Sequence, residues 1–144
     1  MPIPPFTKDG LLPPGVHSAA MAEIERKFGF SPKRRSLIEN GLKPVAQELR
    51  RLGFSEVYLG GTFVSTKPSP DDIDGYLHTR LDSKTLDAIV QRQEAWRTRY
   101  QLDFYPAYED LEGESSIAYW QSWFGHTDDD PPKEKGIVKL MLGR

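Results

Sequence analysis

The longest regular pattern in the chain is a helical stripe: Leu37, Ile38, Leu42, Val45, Ala46, Leu49 and Leu52 recur at three- and four-residue intervals. Ser31 and Pro32 open this segment as an N-cap and a first-turn proline, and Gly53 ends it. Because Gly41 and Pro44 fall inside, a kink or break is expected near 41–44. A shorter amphipathic helix precedes it, with Ser18 as its expected N-cap, Met21, Ile24 and Phe28 on the apolar side, and Gly29 as its stop. Further on, Ser83 caps a predicted helix whose buried side is Leu86, Ile89, Val90 and Trp96, running to about Tyr100. Ile117, Trp120 and Phe124 mark a last helix.

Between the helices the period changes from helical to alternating. Glu56 to Leu59 is a strand candidate ended by Gly60-Gly61, with a turn and a short helix after it. From Asp72 to Leu77, Asp72, Asp74 and Tyr76 share one face while Ile73 and Leu77 take the other. Gln101 to Tyr105 repeats this, burying Leu102 and Phe104 and turning Asp103 the opposite way. Ile137 to Leu142 is a closing strand after a charged loop, Asp128 to Lys135. Helices and strands in this order predict a mixed α/β (α+β) fold, a mixed sheet flanked by helices, in one domain over residues 1–144. Residues 1–17, with five prolines, cannot be regular helix; the apolar Ile3, Phe6, Leu11, Leu12 and Val16 predict an extended arm laid on the domain surface.

Composition narrows the classes. A mean hydropathy of -0.57 and the lack of a bilayer-length apolar run argue against a membrane protein, and MPIPPFTKDG does not look like a secretory leader, so a cytoplasmic location is expected. Zero cysteines exclude disulfides, thiolate metal sites and cysteine nucleophiles. With 19 basic against 21 acidic residues, net charge -2, nucleic acid would have to meet a local patch.

The chemistry concentrates between residues 59 and 77. Two carboxylates one residue apart on a strand project together, about 7 Å apart at their α-carbons, and so make a platform for a hard cation. Magnesium, or manganese, suits such oxygen donors and binds beside substrate phosphates. Asp103 in the same phase is the expected third ligand. If the two strands are neighbours, the three acids can hold two ions roughly 4 Å apart. Upstream, Gly61 and Thr62 sit where a strand turns into a short helix, a place for backbone N–H groups to face a triphosphate and for the Thr62 hydroxyl to donate to it. Lys67, on the following loop, is a candidate to neutralise phosphate charge.

These residues resemble the nucleotidyltransferases of the polymerase-beta type, in particular minimal single-domain ones. That signature is a hydrophobic residue, glycine, then glycine, serine or threonine, a gap of about ten residues, aspartate-apolar-aspartate, and a third acid on a later strand. Here it is Gly60-Gly61-Thr62, Asp72-Ile73-Asp74 and Asp103, and the opening IPPF, the FVSTKPSPDDID core and the KGIVKL ending extend the resemblance over nearly the whole chain. Gly75 departs from the pattern, standing where an apolar residue is usual. The resemblance implies magnesium-dependent transfer of a nucleoside monophosphate from a nucleoside triphosphate, ATP being the first donor to expect, to a hydroxyl on protein, RNA or a small molecule. It also implies an alternative: a weak or inactive nucleotide-binding module that meets a protein partner in a toxin–antitoxin or phage-defence pair. Asp72, Asp74 and Asp103 would be catalytic and metal-binding, and Gly60, Gly61, Thr62 and Lys67 nucleotide-binding.

Other polar and aromatic groups have plainer readings. Asp71 fits turn chemistry, and Asp128-Asp129-Asp130 before two prolines fits a solvated loop. His17 and His126 are isolated, and His78 fits a surface position near a strand end. Trp120, Trp123 and Phe124 have the spacing of core packing, although they could stack a base. Lys33-Arg34-Arg35 is foremost a solvated face, with some claim on phosphate or RNA. Lys135 and Lys139 would reach a triphosphate only if the last strand borders the cleft.

Overall fold

The computed structural model describes residues 3–80, 84–109 and 112–143, and the expected Ser83 cap lies outside them. Five strands and five α-helices follow one another as β1 (Gly15–Ala20), α1 (Met21–Phe28), α2 (Pro32–Leu37), α3 (Lys43–Arg51), β2 (Glu56–Gly60), β3 (Ile73–Thr79), α4 (Lys84–Tyr100), β4 (Leu102–Tyr108), α5 (Ile117–Phe124) and β5 (Gly136–Met141). The strands form one mixed sheet in the order β1-β5-β2-β3-β4, parallel at the two outer pairs and antiparallel in the middle. The predicted mixed sheet flanked by helices is the fold.

Alternation along the strands gives the sheet two unlike faces. Val57, Leu59, Ile73, Leu77, Leu102, Phe104, Val138 and Leu140 point to one face and pack with Ile24, Phe28, Leu37, Leu49 and Trp96 from the helices. Each fully buried aliphatic side chain there contributes about 1.5–3 kcal/mol. The other face carries Tyr58, Tyr76, Ala107 and Ile137 under a single short helix, α5, through Phe124. Asp74 and Asp103 alternate onto that same face.

Three expectations need correction. Residues 15–20 form a strand, so Ser18 caps nothing: it pairs with Lys139 across β1 and β5, and Ala20 is the residue before α1. Ladder hydrogen bonds to β5 outweigh a capping preference that one serine expresses. The arm before that strand does lie on the domain, with Leu12 buried and Phe6 edge-on to Phe28 at 6.0 Å. Val90 is exposed rather than buried.

Of the kink or break expected near 41–44, the helix shows an irregular turn and no break. It runs from Pro32 to Arg51 through a π-helical turn at Ile38–Leu42, which absorbs the backbone N–H missing at Pro44 by winding one residue wider. Gly41 faces the end of α4, where a Cβ would come 2.5 Å from the Tyr100 carbonyl oxygen. That contact sets the sharp α4–β4 junction, where Gln101 takes φ +59° and its carbonyl accepts from the Ile73 amide at 3.0 Å. Gly75, which departs from the apolar residue usual in the pattern, has a packing reason: a Cβ there would run into the Tyr58 carbonyl oxygen, so β2 and β3 pair closely only with glycine at this position.

Candidate functional site

All the predicted acids gather at one end of the sheet, where β2 ends, β3 and β4 begin and β5 starts. Asp74 on β3 is the register partner of Asp103 on β4 and of Gly60 on β2. Asp72 stands one residue before β3 begins, and shares a hydrogen bond with Asp74 that favours the proton on Asp74. Together with Gly61 and Thr62 they line a cleft of about 400 Å³.

Gly61 belongs there for two reasons. Its φ of +70° is in the left-handed region, and a Cβ would stand 3.1 Å from the Asp74 carboxylate oxygen Oδ2. Gly60 has a different role: a Cβ on it would meet the Phe124 ring at 2.5 Å, so this glycine lets α5 rest on the sheet. Thr62 is exposed on the short turn Gly61–Val64 and lines the cleft. Lys67 does not line it; the fold uses its backbone, whose carbonyl accepts from Arg34 Nε at 2.8 Å.

Arg34 is the largest departure from the solvated-face reading. Its side chain is fully buried and donates to the carbonyls of Lys67, Phe28, Phe63, Thr62 and Ser65 at 2.6–3.2 Å. Burial lowers its pKa to about 10, so the cation persists at neutral pH. Four of those carbonyls lie between residues 62 and 67, so one guanidinium shapes the turn that carries Gly61 and Thr62 from beneath. Sequence reasoning had no signal for this, because a basic triplet at a helix start looks solvated.

The acids crowd one another. Burial, then Asp72 and Asp103, push the Asp74 carboxyl up to about 7. Burial and Asp103 also raise Asp72. Asp103 is held differently: Oδ1 accepts from Arg97 at 3.1 and 3.2 Å, and Oδ2 accepts from the Tyr105 hydroxyl at 2.6 Å. Burial followed by this contact with Asp103 raises the Tyr105 hydroxyl. Among the described residues no three acidic or imidazole side chains stand in ready ligating geometry, which fits an Asp103 occupied by Arg97.

Further residues face the same cleft, His126 among them. Lys135, the residue before β5, lines it half-buried, its pKa lowered by burial against the raising effect of Asp128 and Asp74, whereas Lys139 on β5 pairs with Glu56 at 3.1 Å. Asp128, expected in a purely solvated loop, lines it as a fourth carboxylate. Trp123, expected to pack in the core, is 58% exposed on its rim, whereas Trp120 stacks on Tyr105 at 4.5 Å and Phe124 is buried. His78 lies further along β3, half-buried and stacked on Tyr58 at 4.3 Å, in a separate polar depression with Arg80 and Glu109. It keeps a surface position near the strand end, with one ring face on the aromatic stack.

Asp72, Asp74, Asp103 and Asp128 bring carboxylate oxygens, the donor type of hard divalent cations, to a cleft that His126 and Lys135 also line, and the glycine beside Asp74 keeps a side chain out of the space next to it. No helix among the described residues is long and apolar enough to cross a membrane. Neither a curated protein nor a solved structure is matched by the chain. A family described as being of unknown function, DUF6932, matches residues 4–141, from the arm to the end of β5, and the chain belongs to that family.

Proposed function

We propose that this protein binds a nucleoside triphosphate with magnesium at the acidic end of the sheet and transfers its nucleoside monophosphate to a hydroxyl acceptor. The observation that carries this reading is the side-by-side placement of Asp74 and Asp103 beside a glycine turn that no side chain obstructs. Asp72 and Asp74 would hold the cation, with Asp103 joining them if Arg97 lets go. When bound, the cation supplies charge neutralisation to the triphosphate and polarises the α-phosphorus.

The chain's own groups account for the rest. The Thr62 hydroxyl donates to a phosphate oxygen, and Lys135 offsets charge from the β5 side of the cleft. The acceptor oxygen bonds to the α-phosphorus as the bond from that phosphorus to the β-bridging oxygen breaks. Pyrophosphate leaves, and the acceptor proton passes to Asp103, the carboxylate on the outermost strand of the three. Positioning and charge supply most of the rate.

The Arg97 contact to Asp103 favours a second reading, a nucleotide-binding module with little turnover that works through a protein partner. Calorimetric titration of the four ribonucleoside triphosphates with magnesium, into wild-type, Asp72→Ala and Asp74→Ala protein, tests the common part of both. Metal-dependent binding lost in the variants is expected; a folded wild-type chain that binds none of the four overturns the proposal. Pyrophosphate release with RNA, protein and small hydroxyl acceptors separates the enzyme from the module.

A further inference from the structure

The acidic cleft adjoins a second depression of about 410 Å³, and Trp123, His126 and Asp128 line both. The two make one trough whose ends differ. The first end holds most of the carboxylates, the Thr62 hydroxyl and Lys135. The second, beyond Asp128, has the rings of Tyr119, Trp123 and Pro132 as its largest surfaces, with Ser122 and Thr127 beside them.

The end of α5 explains why Trp123 stands free there. Phe124 turns inward over Gly60 and Tyr76, and Trp120, one turn back, covers Tyr105. Trp123 projects between them toward the trough and keeps more than half of its surface exposed, the highest fraction among the large apolar side chains described. His126 is fixed next to it, its Nδ1 donating to the Ser122 carbonyl at 2.7 Å, and the loop beyond is held by the His126–Glu134 bridge. Trp123 is thus an aromatic surface with a settled neighbour on one side and the phosphate-sized acidic space on the other.

We infer that the Trp123 end of this trough seats the nucleobase of the nucleotide whose phosphates lie over Asp72 and Asp74. This rests on the nucleotide-binding reading above. A nucleoside triphosphate has the same polarity as the trough, a polyanion that needs a cation at one end and a planar ring at the other. Stacking on an exposed indole accepts any base, because every base has a π-face. The subsite therefore adds affinity for a nucleoside over bare phosphate without selecting strongly among the four bases.

The test is calorimetric titration of two ligands, ATP with magnesium and inorganic triphosphate with magnesium, into wild-type, Trp123→Ala and Trp123→Phe protein. Wild-type protein is expected to bind ATP more tightly than triphosphate. Trp123→Ala should weaken ATP between about 5-fold and 150-fold and leave triphosphate unchanged. Trp123→Phe, which keeps a ring, should recover most of the loss. Unchanged ATP affinity in Trp123→Ala, with triphosphate still bound, overturns the base seat and leaves the acidic site standing. Failure of wild-type protein to bind either ligand overturns both. A variant that binds ATP normally and differs only in self-association on a sizing column assigns Trp123 to contact with another chain, which also overturns the inference.

Discussion

Asp103 is the register partner of Asp74, yet its carboxylate accepts two hydrogen bonds from Arg97, an exposed side chain one turn from the end of α4. Arg97 thereby competes with any cation for the third acid. The variant Arg97→Ala should bind magnesium or manganese several-fold more tightly than wild-type protein. Its fold should be barely changed in stability, as ion pairs made by an exposed side chain contribute little. Unaltered cation affinity by calorimetry would remove Arg97 from the account of the site.

Two adjacent glycines should fail in different ways. Gly61→Ala places a methyl at positive φ and 3.1 Å from Asp74, so cation and nucleotide binding should be lost for about 1 kcal/mol of stability. Gly60→Ala drives a methyl into the Phe124 ring and should cost about 1–3 kcal/mol by lifting α5. Urea unfolding together with titration of magnesium and ATP distinguishes the two.

Replacing Arg34 by Met keeps much of its volume and takes a donor from five carbonyls, of which Thr62 keeps the Ser65 hydroxyl. An unfolding free energy lower by at least about 3 kcal/mol is expected. Arg34→Lys should recover only part of it, because an ammonium has three donors where the guanidinium has five. A variant as stable as wild type would mean that water serves those carbonyls equally well.

His78 links stability to pH. Burial lowers its pKa in the folded chain below the unfolded value of about 6.5, so the unfolded state binds the proton more readily. Its neutral ring stabilises the fold above that pH, and the contribution disappears as pH falls from about 6.5 through the folded value. Urea midpoints measured from pH 7.5 to pH 5 should decline less steeply for His78→Gln than for wild type. Parallel declines would show that other groups set the slope.

The acid pair and its glycine turn are legible in the sequence, because a two-residue spacing on a strand and a glycine doublet after one each force a local geometry. That Asp103 neighbours Asp74 is not: phase can be read along one strand, whereas adjacency depends on how β4 returns across α4. Arg34 and Trp123 exchange their expected places, the cation going inside and the indole outside. Residue type alone misleads in both, since the inner position is ringed by five carbonyls and the outer one opens on a trough. β1 stays hidden because two prolines precede it, a glycine opens it, and its pairing partner lies some 120 residues further along the chain.

The Tyr105 hydroxyl donates to Asp103 while its ring lies flat against Trp120, with 11° between the planes. The third acid is thus one phenol away from an indole, and the second indole of the same helix stands on the cleft's rim. Whatever displaces Arg97 or claims Asp103 alters the electric field and the contacts of a fluorophore already built into the chain. Trp96, sealed in the opposite face of the sheet, supplies a steady background. The protein therefore carries its own optical gauge of what its carboxylates hold.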